Sequence, residues 1–171
     1  MQAGNIYYAK HDGLLVLKLV GEIRYTMGES YRISASLDSF LERLFAENDF
    51  ENVLIDLTET DSIDSTNLGL LAKMAQFADR EFGRRATIVS TNADINTILE
   101  SVGFDQVFLI IHDPQNPSVE LESLPEVREP EKDLALLLLD AHKALIELSE
   151  KNREMFRNVV QLLEKKISDP H

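Results

Sequence analysis

VLIDLTETDSIDSTNLGLLAKMAQFADREFG, residues 53–83, is the stretch whose reading decides the fold. With Asn52 in front, its first residues form an apolar run (52–57) with too little polar alternation for a half-exposed edge, which predicts a buried strand. A short loop carrying Glu59, Asp61 and Asp64 follows. Ser65 then opens a helix with Leu68, Leu71, Ala72, Ala75, Ala78 and Phe82 on one side, and Gly83 stands where a left-handed C-cap residue belongs. A helix's first turn has N–H groups without partners, which Ser, Thr or Asp side chains satisfy, so Asp64, Ser65 and Thr66 all read as caps. The residues alone leave open whether a hydroxyl there does anything more.

Working outward, LLVLKLVGEI (14–23) reads as a strand paired with the shorter NIYYAK (5–10). Tyr31, Leu37, Leu41, Leu44 and Phe45 recur at helical spacing between Glu29 and Asn48. Downstream, 86–90 is a strand, 92–103 a helix closing on glycine, and 106–111 a last strand. Strands alternating with helices predict an α/β fold, a mixed sheet covered by helices. The chain has 171 residues, 44 % hydrophobic and 27 % charged, which suits a soluble globular protein with a real core. It has no Cys, which excludes disulfides, thiolate metal sites and a Cys nucleophile. The start, MQAGNIYYAKHDG, lacks a signal-peptide pattern, and no apolar run approaches the roughly 18 residues of a bilayer span, so a cytoplasmic location is expected. With 17 Lys+Arg against 30 Asp+Glu, net charge −13, nucleic acid and anionic membranes are poor partners.

Residues 112–131 hold four prolines and six acids, with Arg128 alone on the basic side, and read as a linker or surface strap dividing the chain. From Lys132 to about Ser168 there is neither Pro nor Gly, and good helix formers dominate. The expectation is one long helix, about 50 Å at about 1.5 Å per residue. Leu134, Leu138, Ala141, Leu145, Leu148, Asn152, Met155, Val159, Leu162 and Lys166 alternate by four and three, the a/d rhythm of a coiled coil. Asn152 falls at an a position, where a buried amide commonly selects an in-register dimer, so homodimerisation through Leu138, Leu145, Asn152, Met155, Val159 and Leu162 is the first expectation. The alternative is a helix or helical hairpin packed on its own domain, because Leu137, Ala144, Phe156 and Leu163 widen the stripe beyond a two-stranded seam.

VLIDLTETDSIDSTNLGLL resembles the core signature of STAS domains, the bacterial anti-sigma factor antagonists of the SpoIIAA type. In that signature a strand ending in Asp-Leu leads through a short loop to Asp-Ser-Ser/Thr-x-Leu-Gly at a helix start. LVLKLVGEI upstream and GRRATIVSTNADINTILESVGFDQVFLI downstream extend the likeness to residues 5–111. The resemblance implies a STAS domain over 1–111; the acidic Pro-containing linker over 112–131 and the helical or coiled-coil extension over 132–171, read from composition and spacing, lie outside the minimal domain. It aligns Ser65 with the serine that a partner kinase phosphorylates, Thr66 being the substitute acceptor, and Asp64 with the acid before it. Asp61, Asp64, Thr66, Asn67, Gly69 and Arg24 would form the partner-binding switch loop. Arg24 stands where many members have Asp, and Asn67 replaces a frequent Gly. The implied partners are an anti-sigma factor, in this family often itself a serine kinase, and a PP2C-type phosphatase acting on Ser65.

Phosphorylation adds roughly −1.5 to −2 charges and three acceptor oxygens at a helix N-terminus, whose dipole and free N–H groups tolerate an anion. The fold would survive that, whereas a docked partner facing the acidic loop would not. Enzymatic readings are thin. Asp56, Glu59, Asp61 and Asp64 read as caps and turns, with no diagnostic Mg²⁺ spacing. His11, His112, His142 and His171 are scattered, and Ser65 lacks flanking glycines and an obvious His partner. The expectation is therefore a non-catalytic regulator without cofactor or metal. Competing readings are a scaffold or sensor-complex subunit, in which Ser65 merely caps, and a ligand-binding STAS accessory.

Overall fold

The computed structural model describes residues 4–24, 31–114, 119–125 and 133–168. β1 (Asn5–His11) and β2 (Leu14–Ile23) form an antiparallel hairpin, turned at Asp12 and Gly13, both at positive φ (50° and 82°). β2 is long enough to serve two parallel neighbours on one side. Leu14–Lys18 pairs with β3 (Asn52–Asp56), and Gly21–Ile23 with β4 (Thr60–Ile63), with a register shift between Gly21 and Glu22. Between them an Asx turn forms, in which Asp56 Oδ1 accepts from Thr58 N (2.9 Å) and Thr58 Oγ1 (2.7 Å). The buried Thr60 Oγ1 donates to the Leu19 carbonyl at 2.7 Å. The segment expected as an acidic loop is thus partly strand, four residues buried at both ends (Thr60 and Ile63) with Asp61 exposed, which leaves no period-2 alternation to read.

β5 (Thr87–Val89) and β6 (Leu109–Ile111) continue the parallel part, and β7 (Glu122–Ser123) pairs antiparallel with β1, giving the order β6-β5-β3-β2-β1-β7 with β4 beside β2. The last parallel strand is shorter than the expected 106–111. Phe104–Gln106 is a 3₁₀ turn instead, because Phe104 and Phe108 both enter the core, their rings 4.8 Å apart. β7 makes the described part of the acidic segment a strap, with Leu124 N donating to Ile6 O at 3.0 Å. Residues 115–118 and 126–132, and the expected helix start at Glu29, lie outside the described residues.

The helices are α1 (Tyr31–Glu47), α2 (Ser65–Phe82), α3 (Ala93–Ser101), α4 (Leu134–Ile146) and α5 (Glu150–Ser168). α2 ends on Gly83 at φ 64°, whose N–H bonds the Asp79 carbonyl, as its sequence requires. The C-terminal segment does contain a long helix, α5, of 19 residues. It is not the single continuous helix expected, however. The chain turns at Glu147–Ser149, where Ser149 Oγ accepts from Asn152 N at 3.0 Å, and α5 folds back on α4 as a hairpin. The reason is burial: α4 is apolar nearly all round, and Ala141, Ala144 and Leu145 join the main core against α2.

Candidate functional site

Three residues at the start of α2 divide their labour. Asp64 N donates to the Ile23 carbonyl (3.1 Å), carrying the β4 ladder to the edge of the helix. Its backbone is extended (φ −96°, ψ 174°), and its Oδ1 accepts from Asn67 N at 3.0 Å, so Asp64 is the N-cap. Asn67, fully buried, donates through Nδ2 to the same carboxylate (2.9 Å) and towards Ile23 O (3.4 Å), and its Oδ1 accepts from Ser34 Oγ at 3.1 Å. That amide ties the helix start to β2 and α1. Thr66 is buried.

Ser65 therefore has a hydroxyl that its own helix does not use. The Oγ lies 2.9 Å from His142 Nε2, on α4, 77 residues away. His142 Nδ1 is 2.7 Å from the Leu138 carbonyl, which assigns a proton to Nδ1; in the neutral ring Nε2 is then the acceptor and Ser65 the donor. The sequence reading that Ser65 lacks a His partner is corrected here. No spacing signal reveals His142, because the contact comes from two helices crossing in space. Around this pair the helices touch backbone to backbone: a Cβ at Gly69 would lie 2.1 Å from Ala141 O. Further along, Gln76 Nε2 donates to Ala144 O and to Glu147 Oε2, each at 3.2 Å.

Of the remaining residues expected in a switch loop, Asp61 is exposed and Arg24 is exposed with its Nε donating to Ser62 Oγ at 3.0 Å. The acids do not converge. Asp56 serves the turn, Asp64 caps, and Glu59 pairs with Lys18, whose ammonium that hydrogen bond holds above its ordinary value. Among the described residues no group of three or more His, Asp or Glu is placed to hold a metal ion.

The heptad residues separate into two environments. Leu145 and Asn152 are fully buried within the chain, and Leu138 is half-buried. Asn152 Nδ2 donates to Val102 O (2.8 Å) and Leu145 O (2.9 Å), joining α5 to the end of α3 and to α4. Met155, Val159 and Leu162 are 46 %, 39 % and 69 % exposed, an apolar ridge on α5.

The STAS domain profile matches residues 5–119. Two solved structures share the fold. One is the anti-sigma factor antagonist SpoIIAA in its unphosphorylated form, at TM-score 0.51 and 11 % identity, covering 66 % of this chain and 90 % of that one. The other is an anti-sigma factor antagonist from Mycobacterium paratuberculosis, at TM-score 0.50 and 22 % identity, covering 63 % and 84 %. No curated protein matches the sequence. Among the described residues no helix is long and apolar enough to cross a membrane.

Proposed function

The chain belongs to the STAS domain family, and from that premise we propose that it is a cytoplasmic, non-catalytic anti-sigma factor antagonist working by partner switching. In this reading the unphosphorylated form binds an anti-sigma factor, itself a serine kinase or accompanied by one, and so frees a sigma factor. Phosphorylation of Ser65 ends the binding, and a phosphatase restores it. The observation that supports it is the division of labour at the helix start. Asp64 already caps α2, so the Ser65 hydroxyl can accept a phosphoryl group without costing the helix its cap. The likeness of the fold to anti-sigma factor antagonists points the same way.

Intact-mass and site-mapping mass spectrometry on protein from its native cells tests this, with Ser65→Ala alongside. A species heavier by about 80 Da, one phosphoryl group, that maps to Ser65 and vanishes in the variant is expected. Unmodified protein under every growth condition would overturn the switch.

A second reading, a scaffold that assembles through its C-terminal helix, is favoured by one specific feature. The Met155, Val159 and Leu162 ridge on α5 is apolar, exposed and spaced for a helical partner, a second copy of the chain in the first instance.

A further inference from the structure

The face of α2 that presents Ser65 is already occupied. Ser65, Gly69 and Gln76, spaced by four and seven residues, lie on one stripe of the helix, and each meets α4: Ser65 at His142, Gly69 at the Ala141 backbone, Gln76 at Ala144 O and Glu147. Over that length the approach is close enough that only glycine fits at position 69. We propose that the α4–α5 hairpin is an intramolecular cover seated on the Ser65 stripe of α2 in the unmodified chain, and that a phosphoryl group on Ser65 unseats it. The proposal rests on the reading of Ser65 as phosphoacceptor.

The geometry supplies the reason. The phosphorus and its three oxygens must enter a space in which Nε2 now sits 2.9 Å from Oγ. A hydrogen bond from the ring to a phosphoryl oxygen would itself span about 2.8 Å beyond that group, so the ring has to retreat by the width of a phosphoryl. It has nowhere to retreat. His142 is 4 % exposed, its Nδ1 is held by Leu138 O, and the Phe156 ring on α5 stands edge-on at 5.6 Å. Phosphoserine has no hydroxyl proton to give, so with a neutral ring the Nε2 lone pair would face anionic oxygens, whereas a proton taken up at Nε2 would make the contact a clamp; the exchange experiment separates the two. With the ring neutral, it and the hairpin therefore move together. The hairpin's seat is also imperfect, for the buried Asn152 Oδ1 has no hydrogen-bond partner, a cost that lowers the barrier to leaving.

Hydrogen–deuterium exchange read by mass spectrometry on the full chain tests this in three forms: unmodified, Ser65→Ala, and with phosphoserine incorporated at position 65 during translation. Loss of one hydrogen bond should speed exchange over 134–146 roughly fivefold in Ser65→Ala. Phosphoserine should speed it by about tenfold or more, since a buried group is left opposed rather than merely unpaired. Exchange in β3, β5 and α3 should not change. Unchanged or slower exchange of α4 in the phosphoserine form would overturn the proposal, slower exchange meaning that a protonated His142 clamps the phosphate. Equal acceleration throughout the sheet would overturn it too, as global unfolding. The forms are made without a kinase, so these outcomes are independent of whether cells phosphorylate Ser65. Site mapping in native cells can fail while the latch stands, and the latch can fail while site mapping succeeds.

Discussion

Replacing Gly69 by Ala gives a result whose sign depends on α4 lying where the structure puts it. At an uncovered position inside a helix, Gly→Ala stabilises by about 1 kcal/mol, through backbone entropy and helix propensity. Here the new methyl would lie 2.1 Å from Ala141 O and 2.5 Å from Ala141 C, against 3.4 Å for the onset of ordinary contact. The shortfall to the oxygen is 3.4 − 2.1 = 1.3 Å, and both sides are main chain, so no flexible side chain can give way. Either α4 shifts by about that distance or α2 bends. Such overpacking costs about 1–3 kcal/mol, and set against the helix gain the net expectation is a loss of about 0–2 kcal/mol in the full chain, never a gain. Urea unfolding followed by far-UV circular dichroism measures it. Exchange over Leu137–Leu145 should accelerate in the same variant, while β3 and β5 stay protected. A gain near 1 kcal/mol would refute the reasoning, because it is what an uncovered α2 would show.

Two further outcomes follow from the same helices. Asp64→Ala removes the acceptor for Asn67 N and Asn67 Nδ2, and loss of an N-cap costs about 1 kcal/mol, so the urea midpoint should fall while Ser65→Ala lowers it less. An Asp64→Ala variant as stable as the parent would mean that Ser65 or Thr66 can take over the cap. Leu162→Glu, at the most exposed apolar side chain of α5, should convert a homodimer to monomer in sedimentation equilibrium without lowering stability. A parent that is monomeric at every concentration would end the dimer reading.

Much of this architecture was legible because it is written in local pattern. β2 runs over the expected Leu14–Ile23, and α2 is bounded by Asp64 and Gly83, where cap chemistry puts its ends. What escaped was set by tertiary context. β4 is a four-residue strand, and it pairs only because β2 runs on past β3. At the C-terminus the a/d rhythm outweighed a local stop signal, Ser149 three residues before Asn152. Without Pro or Gly, that serine capping Asn152 N is the one punctuation the turn carries. Asn152 has the property the heptad asks of it, a buried amide, but it satisfies its N–H groups on Val102 and Leu145 of its own chain.

The same distinction governs the site. The cap residues could be recognised from Asp64-Ser65-Thr66, since helix N-termini select those types, but which of the three does the capping could not, because each is able to. The structure assigns the cap to Asp64, and Asn67 reinforces it from inside by holding the same carboxylate. A free hydroxyl at the first helical position, half-buried, needs a partner if water is kept away, and His142 supplies one from α4. Two observations thus bear on each other. The capping that leaves Ser65 available for modification is local, whereas the contact that occupies it is carried by a helix beyond the matched STAS segment. A perturbation at Asp64 should therefore act on the α2 helix, and one at His142 on the docking of the hairpin. If the two were instead to change stability and α4 exchange in the same proportion, the helix start and its cover would be one cooperative unit and not a site with a removable occupant.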